Sequence, residues 1–255
     1  MKTIAIIQAR MSSRRLPGKI LADVAGAPLL THVVRRAKAA GVFDAVIVAT
    51  STEKTDDPVQ AFCKAQDVPC FRGSLDDVLD RYYQTAKSSG ADHIVRLTAD
   101  CPLLDPVVIR MVIDALDEHY DYVSNALHRT YPKGLDTEAF SLQTLARVWE
   151  QARLPSEREH VTPFIYKNPT LFRVKEITQQ TDRSTLRWTV DEQRDLDFVR
   201  AVYKELGDGV FSQEEILSLL KTHPEIQKLN EGIDPNEGYR QSLEKDAAFL
   251  PLAQS

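Results

Sequence analysis

Three short apolar runs, residues 3–7, 45–49 and 93–97, alternate with longer segments, 29–40, 78–87 and 107–116, whose apolar residues recur three or four apart. Runs this short and this continuous fit strands buried on both faces, and a helix between two of them returns the chain for a parallel neighbour. The alternation predicts an α/β fold in three layers, α/β/α, around a mostly parallel, mixed sheet. Helix starts are marked locally. Pro28 suits a first-turn position, Ser74 followed by Asp77 reads as a capping box, and Asp105 before Pro106 reads as a cap followed by proline. Beyond about residue 122 the pattern loosens, with extended candidates at 135–140, 172–177 and 184–190 and helices at 142–152, 158–166, 195–206 and 214–221. The expected organisation is a single domain over residues 1–225, with a smaller insertion or lid within about 125–185. A loosely held C-terminal tail, rich in charge with some glycine and proline, is expected over 226–255.

A chain of 255 residues can bury one large core. Its formal charge of −5 gives no general attraction to nucleic acid or to anionic membrane, so neither is expected as a partner and any anion site must be local. No apolar run approaches the roughly 20 residues of a membrane span, and the N-terminal run is too short for a signal peptide. A cytoplasmic protein is the expectation. Cys63, Cys70 and Cys101 are odd in number and lack a CxxC spacing, which reads as small, partly buried hydrophobes rather than a disulfide framework or zinc site.

The local exception to the acidic balance lies between the first strand and the first helix. Residues 9–26 carry Arg10, Arg14, Arg15 and Lys19 together with Ser12 and Ser13, and Pro17-Gly18 supplies a turn that can aim Lys19 inward. A Walker A loop would need glycine where Ser13 stands and Ser or Thr where Ile20 stands, so that reading fails. Two readings remain, a phosphate cradle of guanidinium, ammonium and backbone N–H groups, or a solvated basic loop. Composition alone favours the solvated loop; the position at the carboxyl end of a strand, where open sheets bind ligands, and the acidity of the rest of the chain bring the cradle level with it. Asp100 stands in the loop after the third apolar run; a loop aspartate is ordinarily a cap or turn former, but Asp105 already takes the cap, which leaves Asp100 free for other work. Asp191 ends an alternating segment and reads, on position alone, as the cap of the following helix. Asp76 and Asp77 superficially suggest a metal pair but fit first-turn helix carboxylates better. Arg72 is either a nucleotide contact or half of a surface ion pair. Trp149 and Trp188 read as core residues.

The segments "QARMSSRRLPGKIL", "GSLDDVLDRYYQTAK", "VRLTADCPLLDP", "YPKGLDTEAFS", "EREHVTPFIY" and "LRWTVDEQRDLDFV" resemble, in this order, motifs of the sugar-activating cytidylyltransferases, which make CMP-sialic acid, CMP-Kdo and related sugars. The likeness is greatest to the spore-coat-polysaccharide branch and extends to about residue 220. It implies a nucleotide-diphospho-sugar-transferase-like fold, often homodimeric. The implied reaction is attack by a hydroxyl of an acidic, nonulosonic-type sugar on the α-phosphate of CTP, with Mg2+ present and pyrophosphate released. By the same resemblance Arg10, Lys19 and Asp100 are catalytic; Ala9, Arg10, Ser12, Ser13, Arg15, Lys19 and Arg72 bind nucleotide; and Asp100 and Asp191 bind metal. Tyr131, Lys133, Arg158 and His160 are the candidates for holding the sugar, and no general base is assigned. Two other classes stay open: a glycosyltransferase using a nucleotide-sugar donor, and a non-catalytic nucleotide-binding protein. Two separated aspartates and an intact cationic loop favour nucleotidyl transfer over both.

Overall fold

The first apolar run forms β1 (Thr3–Gln8), and its side chains alternate between the two faces of the sheet, as a strand requires. The computed structural model describes residues 1–234 and 237–252. In chain order β1 is followed by β2 (Asp23–Val24), β3 (Ala27–Pro28), α1 (Leu29–Ala39), β4 (Ala45–Ser51), α2 (Asp57–Ala65), β5 (Cys70–Gly73), α3 (Val78–Ser89), β6 (His93–Thr98) and α4 (Pro106–Asp114). Then come β7 (Tyr122–Ser124), β8 (Glu138–Ser141), α5 (Leu142–Gln151), α6 (Pro155–His160), α7 (Pro163–Lys167) and β9 (Val174–Glu176). The chain closes with α8 (Gln193–Leu206), α9 (Gln213–Thr222), α10 (Pro224–Gln227) and α11 (Glu237–Leu252). A seven-stranded sheet has the order β5-β4-β1-β6-β8-β7-β9. It is parallel except at β8, which runs against both β6 and β7. The expected three-layer fold with a mostly parallel, mixed sheet is therefore the one observed.

The period of two divides the core. Ala5, Ile7, Val48, Val95 and Leu97 face α1, α4 and α8, through Leu30, Val33, Ile109, Val112, Leu196 and Val199. Ile4, Ile6, Ile47, Ile94, Tyr122 and Phe140 face α3 and α5, through Leu79, Tyr82, Leu145 and Val148. Both faces are covered, which is why the strands read as continuous apolar runs. Trp188 lies in the first layer, whereas Trp149 is half-buried beside the second, donating to Asp80. As read, Asp105 caps α4, accepting from the Val107 N–H at 2.8 Å.

Several local readings need correction. Residues 184–190 form no ladder strand; they touch 131–135 through the single bridge of Lys133 with Arg187, because the chain bends there to deliver Asp191. The helix expected over 158–166 breaks into α6 and α7 at Val161, a buried β-branched residue at φ 74, in the left-handed region that such residues avoid. Asp77, rather than Ser74, caps α3 by accepting from the Asp80 N–H, and Ser74 supports the turn before it. Pro28 precedes the first turn of α1 instead of entering it. In the described part of the tail, Asp246 of α11 is buried and accepts from the Ser156 N–H at 2.8 Å and from its hydroxyl, capping α6 from outside. Residues 235–236 and 253–255 of that tail lie outside the described residues.

Candidate functional site

The carboxyl ends of β1, β4 and β6 carry the loops that build the site. Ala9 donates its N–H to the Ala49 carbonyl, and Ala99 donates to the Gln8 carbonyl, so the loops leaving these strands start side by side. The cationic loop is then folded around one carbonyl. Met11 accepts from the N–H groups of Ser13 and Gly18, both at 2.9 Å, and donates its own N–H to the fully buried carboxylate of Asp56 at 2.7 Å. Gly18 stands at φ 74, a backbone region open to glycine without cost, and the short 3-10 turn Lys19–Leu21 follows. This turn points Lys19 into the protein.

The Lys19 ammonium lies 2.9 Å from Asp100 Oδ2, 2.9 Å from Asp191 Oδ1 and 2.6 Å from the Val190 carbonyl. The two aspartates reach it from sequence separations of 81 and 172 residues. Burial disfavours the ammonium charge, but the two carboxylates outweigh it and hold its pKa above the ordinary lysine value. Asp191 is the most heavily compensated carboxylate of the site. Arg15 pairs with its Oδ2 at 3.2 Å and Arg187 with the same oxygen at 2.7 Å. Burial would raise its pKa, yet Lys19, Arg15 and Arg187 together hold it well below the usual carboxylate range. Asp191 is not the helix cap. Its N–H and that of Glu192 both donate to Asp195 Oδ2, which leaves its own carboxylate free for the cations.

Four residues that sequence reasoning passed over build this arrangement. Asp195, fully buried, accepts from Arg187 Nε at 2.8 Å and orients the guanidinium that meets Asp191. Asn230 donates to Asp195 and to the Arg187 carbonyl, tying the segment after α10 to the site. Asp56 anchors the loop start as described above. Gly134 lets residues 131–135 approach the segment before Asp191, since a Cβ there would lie 2.6 Å from the backbone of Trp188 and Thr189. Only Asp195 had a usable signal, an acid in the first turn of a predicted helix. The others depend on contacts between distant segments.

The cationic loop, Asp100 and Asp191 thus converge at the strand ends. The sequence matches the cytidylyltransferase family over residues 4–222. The chain belongs to the cytidylyltransferase family. It is 33% identical to the spore coat polysaccharide biosynthesis protein SpsF of Bacillus subtilis, over 86% of this chain and 94% of that protein. The structure of a cytidylyltransferase from Leptospira borgpetersenii superposes with a TM-score of 0.87 at 34% identity, covering 92% of this chain and 99% of that one. At 21% identity, CMP:2-keto-3-deoxy-manno-octonic acid synthetase, solved in complex with CTP, shares the fold with a TM-score of 0.62, covering 81% of this chain and all of that one.

The remaining site candidates of this cytidylyltransferase are scattered. Arg10 and Ser12 are exposed on the loop, and Arg10 makes no hydrogen bond or ion pair among the described residues; Ser13 is half-buried and Ala9 lies beneath the loop. Arg72 stands away from the aspartates on β5, where it donates to the carbonyls of Ser51 and Glu53 and to Gln60 and pairs with Asp57 at 2.7 Å, clamping the β4–α2 turn. The four sugar candidates are divided. Lys133 is beside Arg187, and burial followed by that like charge lowers its pKa. Tyr131 is buried in the core. Arg158 pairs with Asp77, and His160 makes a 2.9 Å hydrogen bond with Ser242 of α11. Two surface hollows, of about 530 Å³ beside Asp77 and Arg158 and about 520 Å³ beside Gln60 and Cys70, include neither Lys19 nor its aspartates. Among the described residues no helix is long and apolar enough to cross a membrane.

Proposed function

We propose that the chain transfers CMP from CTP to a hydroxyl of an acidic sugar of the nonulosonic type and releases pyrophosphate. The observation that carries this reading is the convergence of Lys19, Asp100 and Asp191 at the carboxyl ends of the strands, next to the loop of Arg10, Ser12, Ser13 and Arg15. The sugar hydroxyl oxygen bonds to the α-phosphorus, the bond to the β-phosphate bridging oxygen breaks, and the hydroxyl proton leaves to solvent or to a phosphate oxygen. Lys19, Arg15 and Arg10 neutralise charge as it moves onto the departing pyrophosphate, a stabilisation worth most in a partly buried site.

Among the described residues no set of three or more His, Cys, Asp or Glu side chains is grouped for a metal. The donors that meet at Lys19 are nonetheless all oxygens, two carboxylates and a carbonyl, and they fit Mg2+, which commonly takes one or two protein carboxylates and completes its shell with phosphate and water. Asp100 and Asp191 would hold it. When bound, it supplies Lewis-acid stabilisation of the phosphate oxygens.

The test is a thermal-shift and product assay. CTP with Mg2+ should raise the melting temperature more than ATP, GTP, UTP or a nucleotide sugar, since a ligand that binds the native state stabilises it by mass action. Pyrophosphate should appear with at least one acid among sialic, legionaminic, pseudaminic and Kdo-like sugars. Stabilisation by a nucleotide sugar and not by CTP, with no pyrophosphate from any of these acids, would overturn the reading in favour of glycosyl transfer.

A further inference from the structure

The three oxygens around Lys19 match the three N–H donors of an ammonium, so the cation is saturated where it sits. It is 8% exposed. Among the described residues it is the one ion-pair partner of Asp100, whose carboxylate it joins to that of Asp191. Two carboxylates drawn to one point repel each other unless a cation lies between them. Oδ2 of Asp191 is already taken by Arg15 and Arg187, and Oδ1 is the oxygen that Lys19 covers. A divalent ion placed between the two carboxylates would take the position that the ammonium fills. Two cations cannot share that position.

We infer that Lys19 is a built-in counter-ion that closes the two-carboxylate site to divalent cations until a polyphosphate draws its ammonium away, so that nucleotide and metal load together. This rests on the proposed roles of the aspartates and of Lys19. A triphosphate offers the ammonium several negative charges at the neighbouring loop. Once Lys19 turns to them, Asp100 is left without a cation and accepts one. The site is thus protected from idle occupancy by free metal, and the charge between the aspartates is never left unbalanced.

The inference is tested with Mn2+ alone, on the full chain without nucleotide, by the loss of the free-ion electron paramagnetic resonance signal. Lys19→Met should bind one Mn2+ at least tenfold more tightly than the unchanged protein, and Mn2+ should raise the melting temperature of the variant more than that of the parent. Adding Asp100→Asn to Lys19→Met should abolish the gain. Metal-free CTP affinity should move the other way and fall in Lys19→Met, whereas a merely structural lysine would weaken both. Lys19→Gln, which keeps an amide donor toward the carboxylates, serves if the Met variant does not fold. Equal or weaker Mn2+ binding in the folded variant, or a gain that survives Asp100→Asn, would overturn the inference. Absence of CTP-dependent pyrophosphate release alongside the Mn2+ gain would instead overturn the proposed reaction and leave the counter-ion role standing.

Discussion

Two ionic clusters, one beyond the strand ends and one across a ladder of the sheet, are built on opposite principles. In the first, Lys19, Arg15 and Arg187 meet Asp100 and Asp191 on loops beyond the strand ends, where Asp100, Asp191 and Arg15 keep partial exposure. In the second, Arg96 of β6 pairs directly across the ladder with Glu138 of β8, and Glu138 also accepts from the hydroxyls of Tyr122 and Thr162. The Glu138 carboxylate is buried and both of its oxygens are held, by the ladder partner Arg96 and by the hydroxyls of Tyr122 and Thr162. The difference teaches where partners can be exchanged: charges on loops can trade a protein partner for a ligand, whereas charges locked in a ladder can only be lost, at the cost of a buried unpaired ion.

The largest effect should come from breaking the second cluster. Glu138→Ala leaves the Arg96 guanidinium, only 12% exposed, without its carboxylate, and the expected loss of unfolding free energy is about 3 kcal/mol, measured by urea denaturation. A loss near zero would remove the distinction between the two clusters. Breaking the first should act on turnover instead. Asp100→Asn and Asp191→Asn are each expected to slow pyrophosphate release on the order of 10²–10³-fold. Each should cost less stability than Glu138→Ala, and the double variant should be little worse than either, because residues acting as a unit are not additive. Near-parental release in Asp100→Asn would take the reaction away from that loop.

A pH titration sharpens the contrast. Burial, then the nearby charge of Arg96, lowers the His160 pKa from the ordinary 6.5 to about 4; Glu159 pulls it upward, while Lys245 and Arg10 add to the lowering. The imidazole is neutral in the fold, and on acidification the unfolded chain takes up its proton first. Stability that is complete above pH 6.5 is therefore lost as the pH falls toward 4, by about 2 kcal/mol at pH 5. His160→Gln should flatten that slope in urea melts at pH 7 and pH 5; an unchanged slope would mean that another group carries it. The smallest effect is expected at Arg72→Ala, which removes the clamp on the β4–α2 turn. Calorimetry should show about 1 kcal/mol less stability and a CTP affinity changed less than twofold. A tenfold loss of CTP affinity would return Arg72 to the nucleotide site.

Much of the fold was legible because its signals are local. The apolar runs that became β1, β4 and β6 and the Asp105-Pro106 start of α4 each depend on residues within a few positions of one another. The shorter elements were not. The three-residue β7 and the four-residue edge strand β5 are too brief to show a period, and β5 carries Arg72 where an apolar residue would announce a strand. Val161 hid a helix break, because its sequence is ordinary and only the packing between α6 and α7 imposes its left-handed φ.

By itself the sequence determined the layers of this protein, the loop that carries its cations and the two aspartates set apart for it, since periodicity, turn chemistry and motif order are properties of the chain. The tertiary structure decided which charges meet. That Lys19 bridges Asp100 and Asp191, that Arg187 is turned by Asp195 and Asn230, and that Arg72 and Arg158 are held by carboxylates elsewhere follow from distances between segments far apart in the chain. Coulombic and hydrogen-bond energies depend on those distances in space, and the order of residues along a chain specifies them only after the sheet has brought its loops together.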